Sequence, residues 1–141
     1  MPAVTEAIIK GLRTVPIFAT LDDDAIARAA AIAGIDDHAK GSVLIERGLP
    51  GSGMFVILDG EVEVELRHRN VTLGAGEFVG ELSLLTDHAV RVARVRATSD
   101  LRCLAIGRRA FAELLKQHPA IAVPMLSTLA NRLQDLIEHP A

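Results

Sequence analysis

Aromatic residues are scarce in this 141-residue chain, which has four phenylalanines but neither tyrosine nor tryptophan. Modules that hold single-stranded nucleic acid stack its bases on aromatic side chains, so this class of protein is disfavoured. The net charge of −3 offers no overall attraction to a polyanion either. Since half of the residues are hydrophobic, the sequence predicts a folded chain with an aliphatic core.

Cysteine and long apolar runs are also lacking. The single cysteine, Cys103, excludes a disulfide scaffold, a four-cysteine zinc site and a cysteine-ligated iron–sulfur cluster, and its apolar surroundings predict a small core residue. No metal site is predicted, because no two histidines have ligand spacing among positions 38, 68, 88, 118 and 139. No run approaches the ~18 apolar residues of a membrane helix, and the start lacks a signal-peptide design. The expected setting is a reducing cytoplasm, without membrane contact.

Three zones predict a single domain over residues 1–141: N-terminal helices in 1–34, strands in 35–107 and C-terminal helices in 108–139. Thr20 and Asp23 have the spacing of a capping box, and Gly34 is expected to end the helix that follows.

The middle zone has the pattern of short strands separated by glycines. Residues 61–66 alternate glutamate with Val62, Val64 and Leu66, which predicts a strand with one buried face. The apolar run Met54–Leu58 is typical of a strand covered on both faces. The predicted fold is α+β, mainly β: an antiparallel β-roll, or jelly-roll barrel, flanked by helices from both chain ends.

The last zone predicts two helices. The first covers Arg108–Gln117, and the second runs to Glu138 with Pro124 in its first turn or at a kink. The longer helix carries a broad apolar stripe, formed by Met125, Leu126, Leu129, Leu133, Leu136 and Ile137.

One segment interrupts the strand pattern. Gly80 ends a strand, and residues 81–85 have room for only one or two helical turns, which are unstable alone. Such a turn offers the unpaired backbone N–H groups of Leu82 and Ser83, made approachable by Gly80, and these groups favour an anion such as phosphate. Glu81 beside them would accept hydrogen bonds from sugar hydroxyls.

A cationic strand follows at residues 91–97. Period-two alternation places Arg91 on the inward face with Ala93, and turns Arg94 and Arg96 to solvent. An inward guanidinium cannot lose its proton and needs an anion, so this strand and the preceding turn both predict a bound phosphate.

Two motifs of this segment resemble the phosphate-binding cassette of the cyclic-nucleotide-binding domain family: Phe78-Val79-Gly80-Glu81-Leu82-Ser83-Leu84 and Arg91-Val92-Ala93. That family includes bacterial catabolite activator proteins and the regulatory subunits of protein kinase A. Further stretches are similar to its N-terminal entry, early strands and central hairpin: residues 15–18, 40–48 and 54–62. The similarity is nearly ungapped from about residue 15 to residue 139.

The resemblance implies a role for each cassette residue. Arg91 would pair with the cyclic phosphate, Glu81 would bind the ribose 2′-hydroxyl, and the N–H groups of Leu82 and Ser83 after Gly80 would hold a phosphate oxygen. Val92 replaces the usual serine, threonine or alanine. Because threonine there favours guanine in the family, Val92 favours cyclic AMP over cyclic GMP.

The resemblance also implies how the base is held. Val64 and Val71 fall where the family packs the base against the barrel wall, and Arg132 falls where the catabolite-activator branch has an arginine near the cassette glutamate. Leu136 and Ile137 stand where the bacterial activators have polar adenine contacts, which predicts an apolar lid. The final helix is expected to be the moving part.

Several alternatives stay open. The domain could be a degenerate sensor that no longer binds nucleotide and serves protein interaction, or Arg91 and Glu81 could form an internal ion pair. Residues 88–109 carry net +5 and residues 20–46 carry −4, so these zones could complement each other instead of binding nucleic acid.

A cupin-type enzyme is disfavoured, because no H-x-H motif is present. A DNA-binding regulator would need about 60–80 further residues of helix-turn-helix, so the chain could be an excised sensor half. The expected role is therefore a regulatory module without catalysis or a cofactor, whose ligand is a cyclic nucleotide. Its expected partners are an unidentified effector protein and, through the C-terminal helix, a second copy of the chain.

Overall fold

Two four-stranded antiparallel sheets, with helices at both chain ends, make up the structure, a computed structural model that describes residues 2–46, 53–66, 68–80 and 93–138. This architecture confirms the predicted α+β roll. The helices are α1 (Pro2–Arg13), α2 (Pro16–Ala19), α3 (Asp23–Ile32), α4 (Arg108–Gln117) and α5 (Ala122–Glu138), with a 3₁₀ turn at Pro119–Ile121. Among these helices, none is long and apolar enough to cross a membrane.

Successive strands lie in alternate sheets, except that β4 and β5 are neighbours in the same sheet. They are β1 (Ala33–His38), β2 (Val43–Ile45), β3 (Gly53–Asp59), β4 (Val62–Glu65), β5 (Asn70–Leu73), β6 (Phe78–Val79), β7 (Arg94–Ala97) and β8 (Leu101–Gly107). One sheet has the order β1-β8-β3-β6 and the other has the order β2-β7-β4-β5.

Strand β3 is covered on both faces, as its unbroken apolar run predicts. Met54 and Val56 pack into a cluster with the helices, whereas Ile57 packs into a second cluster between the sheets. The roll therefore has an aliphatic interior and a separate helix-covered layer. Phe18, Phe78 and Phe111 are buried in that helical layer.

The N-terminal helices correct two local predictions. Helix α3 is capped by Asp22, whose carboxylate accepts a hydrogen bond from the Ala25 N–H at 2.8 Å, and not by Thr20. The helix ends at Ile32, and Gly34 lies inside strand β1 instead of terminating the helix.

Cys103 lies on β8 with no exposed surface, which confirms the predicted core position. Burial, followed by the nearby charges of Asp36 and Asp37, raises the pKa of its thiol to about 12. Its Sγ donates a hydrogen bond to the Asp36 carbonyl oxygen at 3.4 Å.

The basic zone of residues 88–109 and the acidic zone of residues 20–46 do form ion pairs with each other, along neighbouring strands of each sheet. Arg102 on β8 reaches Asp37 on β1 with Nε at 2.8 Å from Oδ1, and this hydrogen bond lowers the pKa of the Asp37 carboxyl. Arg94 on β7 similarly reaches Glu46 after β2.

We expect Gly60→Ala to destabilise the fold by about 1–3 kcal/mol. Gly60 turns β3 into β4 with φ of +99°, and an added Cβ would lie 2.4 Å from the Asp100 carbonyl oxygen. Gly34→Ala is the matched control, because nothing lies within 4 Å of a Cβ there, and it should change stability by less than about 0.5 kcal/mol. Thermal unfolding followed by circular dichroism measures both, and equal losses would contradict the turn geometry.

Candidate functional site

Strand β7 has the alternation that the sequence predicts. Val95 and Ala97 point into the roll and are buried, and Ala93, immediately before the strand, is buried as well. Arg94 and Arg96 lie on the other face, with 40% of each side chain exposed. The burial pattern therefore confirms the predicted alternation over residues 93–97, whereas Arg91 lies outside the described residues.

The outward arginines of β7 are held by carboxylates. Arg94 places Nε 2.9 Å from Glu46 Oε1 and Nη1 3.6 Å from Glu65 Oε2, and Arg96 places Nε 3.3 Å from Glu65 Oε1. The hydrogen bond to Glu46 raises the pKa of Arg94. Because both cations already have carboxylate partners, neither is a free anion receptor.

Strand β6 leads into the candidate phosphate-binding segment. Phe78 and Val79 are buried, and Gly80 follows with φ of +88°, in the region that favours glycine. This backbone turn fits the predicted end of the strand at Gly80. The other predicted phosphate and ribose residues lie outside the described residues: Glu81, Leu82, Ser83, Arg91 and Val92.

Val64 and Val71 face each other on neighbouring strands. The antiparallel register of β4 and β5 pairs them directly, and both side chains are half-buried. Val64 also contacts the cluster between the sheets. The structure thus brings the two predicted base-wall residues together as one aliphatic patch.

Arg132 on α5 reaches across to β6. Its Nη2 donates a hydrogen bond to the Phe78 carbonyl oxygen at 2.5 Å, and its guanidinium lies over the Phe78 ring at 4.6 Å from the centroid. A guanidinium over an aromatic face is attracted by the ring quadrupole. The last helix is thereby attached two residues before Gly80.

A second attachment joins α5 to the β4–β5 hairpin. Arg69, in the turn of that hairpin, forms an ion pair with Asp135 on the helix. Sequence reasoning missed this pair, because the two residues are 66 positions apart and neither belongs to a motif. The signal available in the sequence is weak: Arg69 is one of two arginines that flank His68, beside a strand that carries the base wall.

The apolar stripe of α5 is divided between two faces. Met125 is buried against the body of the protein, whereas other members of the stripe face outward. The exposed apolar side chains are Val123 (66%), Leu126 (65%), Leu133 (60%) and Ile137 (71%). Ile137, a predicted lid residue, therefore lies on the outward face, and the side chain of Leu136 is outside the described residues. Pro124 lies in the first turn of α5.

Comparison with protein-family models matches residues 36–118 to the cyclic nucleotide-binding domain. The chain belongs to the cyclic nucleotide-binding domain family. It is a regulatory domain of the type found in kinase regulatory subunits and catabolite activators, as the sequence motifs predict.

Curated relatives include a putative potassium channel protein of Rhodopseudomonas palustris, 33% identical over 112 residues, which cover 77% of this chain and 27% of the relative. The chain spans less than a third of the length of the first curated relatives that it matches.

Two solved structures carry the fold comparison further. The regulatory subunit of a cAMP-independent protein kinase A from Trypanosoma brucei has a TM-score of 0.78 and 27% identity, covering 94% of this chain and 48% of that chain. The catabolite activator protein of Thermus thermophilus has a TM-score of 0.76 and 27% identity, covering 85% and 59%.

Proposed function

We propose that this chain binds cyclic AMP and transmits binding through movement of helix α5. The observation that carries the proposal is the pair of attachments of α5, through Arg132 to Phe78 and through Asp135 to Arg69. One attachment ends on Phe78, the first residue of the cassette motif, and the other ends on the hairpin that holds the base wall. A ligand that touches the cassette and this hairpin would act on both attachments.

The phosphate end of the proposed site depends on charge. Arg91 would pair with the cyclic phosphate while the N–H groups of Leu82 and Ser83 hold a phosphate oxygen, and Gly80 lets the backbone approach. Glu81 would accept a hydrogen bond from the ribose 2′-hydroxyl. The confirmed alternation of residues 93–97 supports this assignment, because extending it by one step of two residues turns Arg91 inward.

The base end of the proposed site is apolar. Val64 and Val71 offer an aliphatic patch on which a purine ring can lie, and Val92 carries no hydroxyl for a guanine. These features favour cyclic AMP over cyclic GMP. Leu136 and Ile137 are proposed to approach the base when α5 moves, so the lid would form only with that movement.

Titration calorimetry with cyclic AMP and cyclic GMP tests the proposal directly. We expect cyclic AMP to bind more tightly, and at a hundred times its dissociation constant it should stabilise the fold by about 2.7 kcal/mol. Binding of neither nucleotide would favour the degenerate-sensor alternative, in which the domain acts only through protein contacts. The similarity to the regulatory subunit of a cAMP-independent protein kinase A is the observation that supports this alternative.

Hydrogen exchange tests the signalling step. We expect saturating cyclic AMP to change amide protection in α5 (Ala122–Glu138) and in β6, because the two are joined through Arg132. Strand β8, paired on both sides within its sheet, is the internal control and should not change. If nucleotide binds while α5 keeps its protection, the signal leaves by another element.

The outward face of α5 is proposed to pair with a second copy of this chain. Its apolar residues recur at alternating spacings of three and four, as in a two-stranded coiled coil: Val123, Leu126, Ala130, Leu133 and Ile137. The flanking residues Ser127 and Gln134 are uncharged, so two identical helices meet no like-charge repulsion there.

The proposed role is regulatory binding, not catalysis, with an effector protein or a covalently attached effector domain as the recipient of the signal. The unpaired cysteine, Cys103, fits the reducing cytoplasm proposed as the setting. In the alternative arrangement, the same nucleotide-sensing domain is the sensor half of a DNA-binding regulator.

A further inference from the structure

Three metal-ligating side chains from two strands converge at the edge of one sheet. Asp36 and His38 lie on β1, and Cys103 lies on the neighbouring strand β8. One donor atom from each residue lies within 4.8 Å of the other two. Strand register causes this convergence, because Asp36 pairs directly with Cys103 although 67 positions separate them.

The two strands hold the cluster in a defined geometry. Strands β1 and β8 pair in unbroken register from Ala33 to His38, and side chains two residues apart share one face. His38 Nε2 lies 2.8 Å from Asp36 Oδ2. Asp37, between them, points to the other face and is occupied by Arg102. The cluster therefore contains one carboxylate, one imidazole and one thiol. Among the described residues, no lysine or arginine forms an ion pair with Asp36.

Exposure rises in steps from the thiol to the carboxylate. Cys103 is fully buried, 22% of the His38 side chain is exposed, and 42% of the Asp36 side chain is exposed. A small ion can therefore reach the carboxylate and the imidazole from solvent, and the buried sulfur lies within 4.8 Å of a donor atom of each. The solvent-facing side leaves room for a water molecule as a further ligand.

We propose that Asp36, His38 and Cys103 form a binding site for Zn²⁺. Sulfur, nitrogen and oxygen donors together suit Zn²⁺, whereas Mg²⁺ and Ca²⁺ take oxygen donors alone. The ion would bind Asp36 Oδ2, His38 Nε2 in the neutral ring form that carries its proton on Nδ1, and the Cys103 sulfur as thiolate. The thiol proton, and any second proton on the His38 ring, would pass to solvent. A tetrahedral site would be completed by water.

Cobalt titration tests this site, because Co²⁺ takes the same geometry and is coloured. The chain is purified, reduced, treated with a chelator and titrated with Co²⁺. We expect a thiolate-to-cobalt charge-transfer band that saturates at one equivalent per chain and disappears when Zn²⁺ is added. The absence of such a band at every Co²⁺ concentration would overturn the proposal.

Variants identify the ligands. We expect Cys103→Ser to abolish the charge-transfer band, and His38→Asn and Asp36→Asn each to weaken Co²⁺ binding by at least about ten-fold. His68→Asn is the matched control, because His68 is exposed in the β4–β5 turn, and it should bind Co²⁺ as the unaltered chain does. Circular dichroism checks that each variant is folded.

The remaining outcomes also decide the matter. If Cys103→Ser fails to fold, the His38 and Asp36 variants still test the site, since both side chains are partly exposed. Unchanged Co²⁺ affinity in those two variants would show that Asp36 and His38 form only an ion pair, and would overturn the proposal.

Discussion

Replacing Arg91 by alanine is expected to weaken cyclic AMP binding by about 30-fold to several thousand-fold, which corresponds to roughly 2–5 kcal/mol. The proposed role of Arg91 is to pair with the cyclic phosphate in a site shielded from water. Removal of one partner of a desolvated charge pair leaves the other charge uncompensated, and this accounts for the large cost.

Arg94→Ala is the matched control on the same strand. Arg94 lies on the outer face, where it forms ion pairs with Glu46 and Glu65 and keeps 40% of its side chain exposed. Exposed pairs of this kind contribute about 0–1 kcal/mol, so nucleotide affinity should fall by less than about five-fold. Calorimetry on both variants gives the comparison, and equal losses would mean that Arg91 does not face the ligand.

The period-two pattern succeeded on β7 because the two faces of that strand differ sharply in chemistry. Burying Ala93, Val95 and Ala97 forces the arginines between them outward, and no other register does this. The ends of α3 were harder to predict, because three consecutive aspartates can each cap a helix. Asp22 makes the hydrogen bond, and the sequence pattern alone does not distinguish it from Asp23 and Asp24.

Contacts between distant positions could not be predicted from spacing. Asp36 and Cys103 meet because β1 and β8 are neighbours in the sheet, and Arg69 meets Asp135 because α5 passes the β4–β5 hairpin. A sequence search for metal ligands looks for histidines at short separations, so it passed over a cluster that strand pairing assembles. The cassette residues are predicted from a short motif with a fixed order, and this prediction does not depend on which strands pair.

The apolar stripe of α5 shows that a sequence pattern does not identify what covers a helix face. Apolar periodicity predicts that a helix face is covered, but it does not state whether the cover is the same chain or another one. Met125 is covered by the protein itself, whereas Leu126 and Leu133 are mostly exposed. The outward residues form a narrow seam turned away from Arg132, which attaches the helix to β6.

Leu133→Glu is expected to weaken self-association of the chain by about 100-fold or more. A buried leucine contributes roughly 1.5–3 kcal/mol, and a two-fold symmetric interface loses that contribution twice, which gives about 3–6 kcal/mol for each dimer. The introduced carboxylates would also face each other across the seam and repel. Analytical ultracentrifugation over a range of concentrations measures the change.

Asn131→Glu is the control for this substitution, because it adds the same charge to an exposed position of α5 outside the seam. It should leave self-association within about five-fold of the unaltered chain, since a charge on an exposed helix face costs little. A monomeric unaltered chain, or equal weakening by the two variants, would show that the seam does not pair with a copy of itself. Because Leu133 is 60% exposed within one chain, the fold and the cyclic AMP affinity of the monomer should survive Leu133→Glu, and this separates the interface from the nucleotide site.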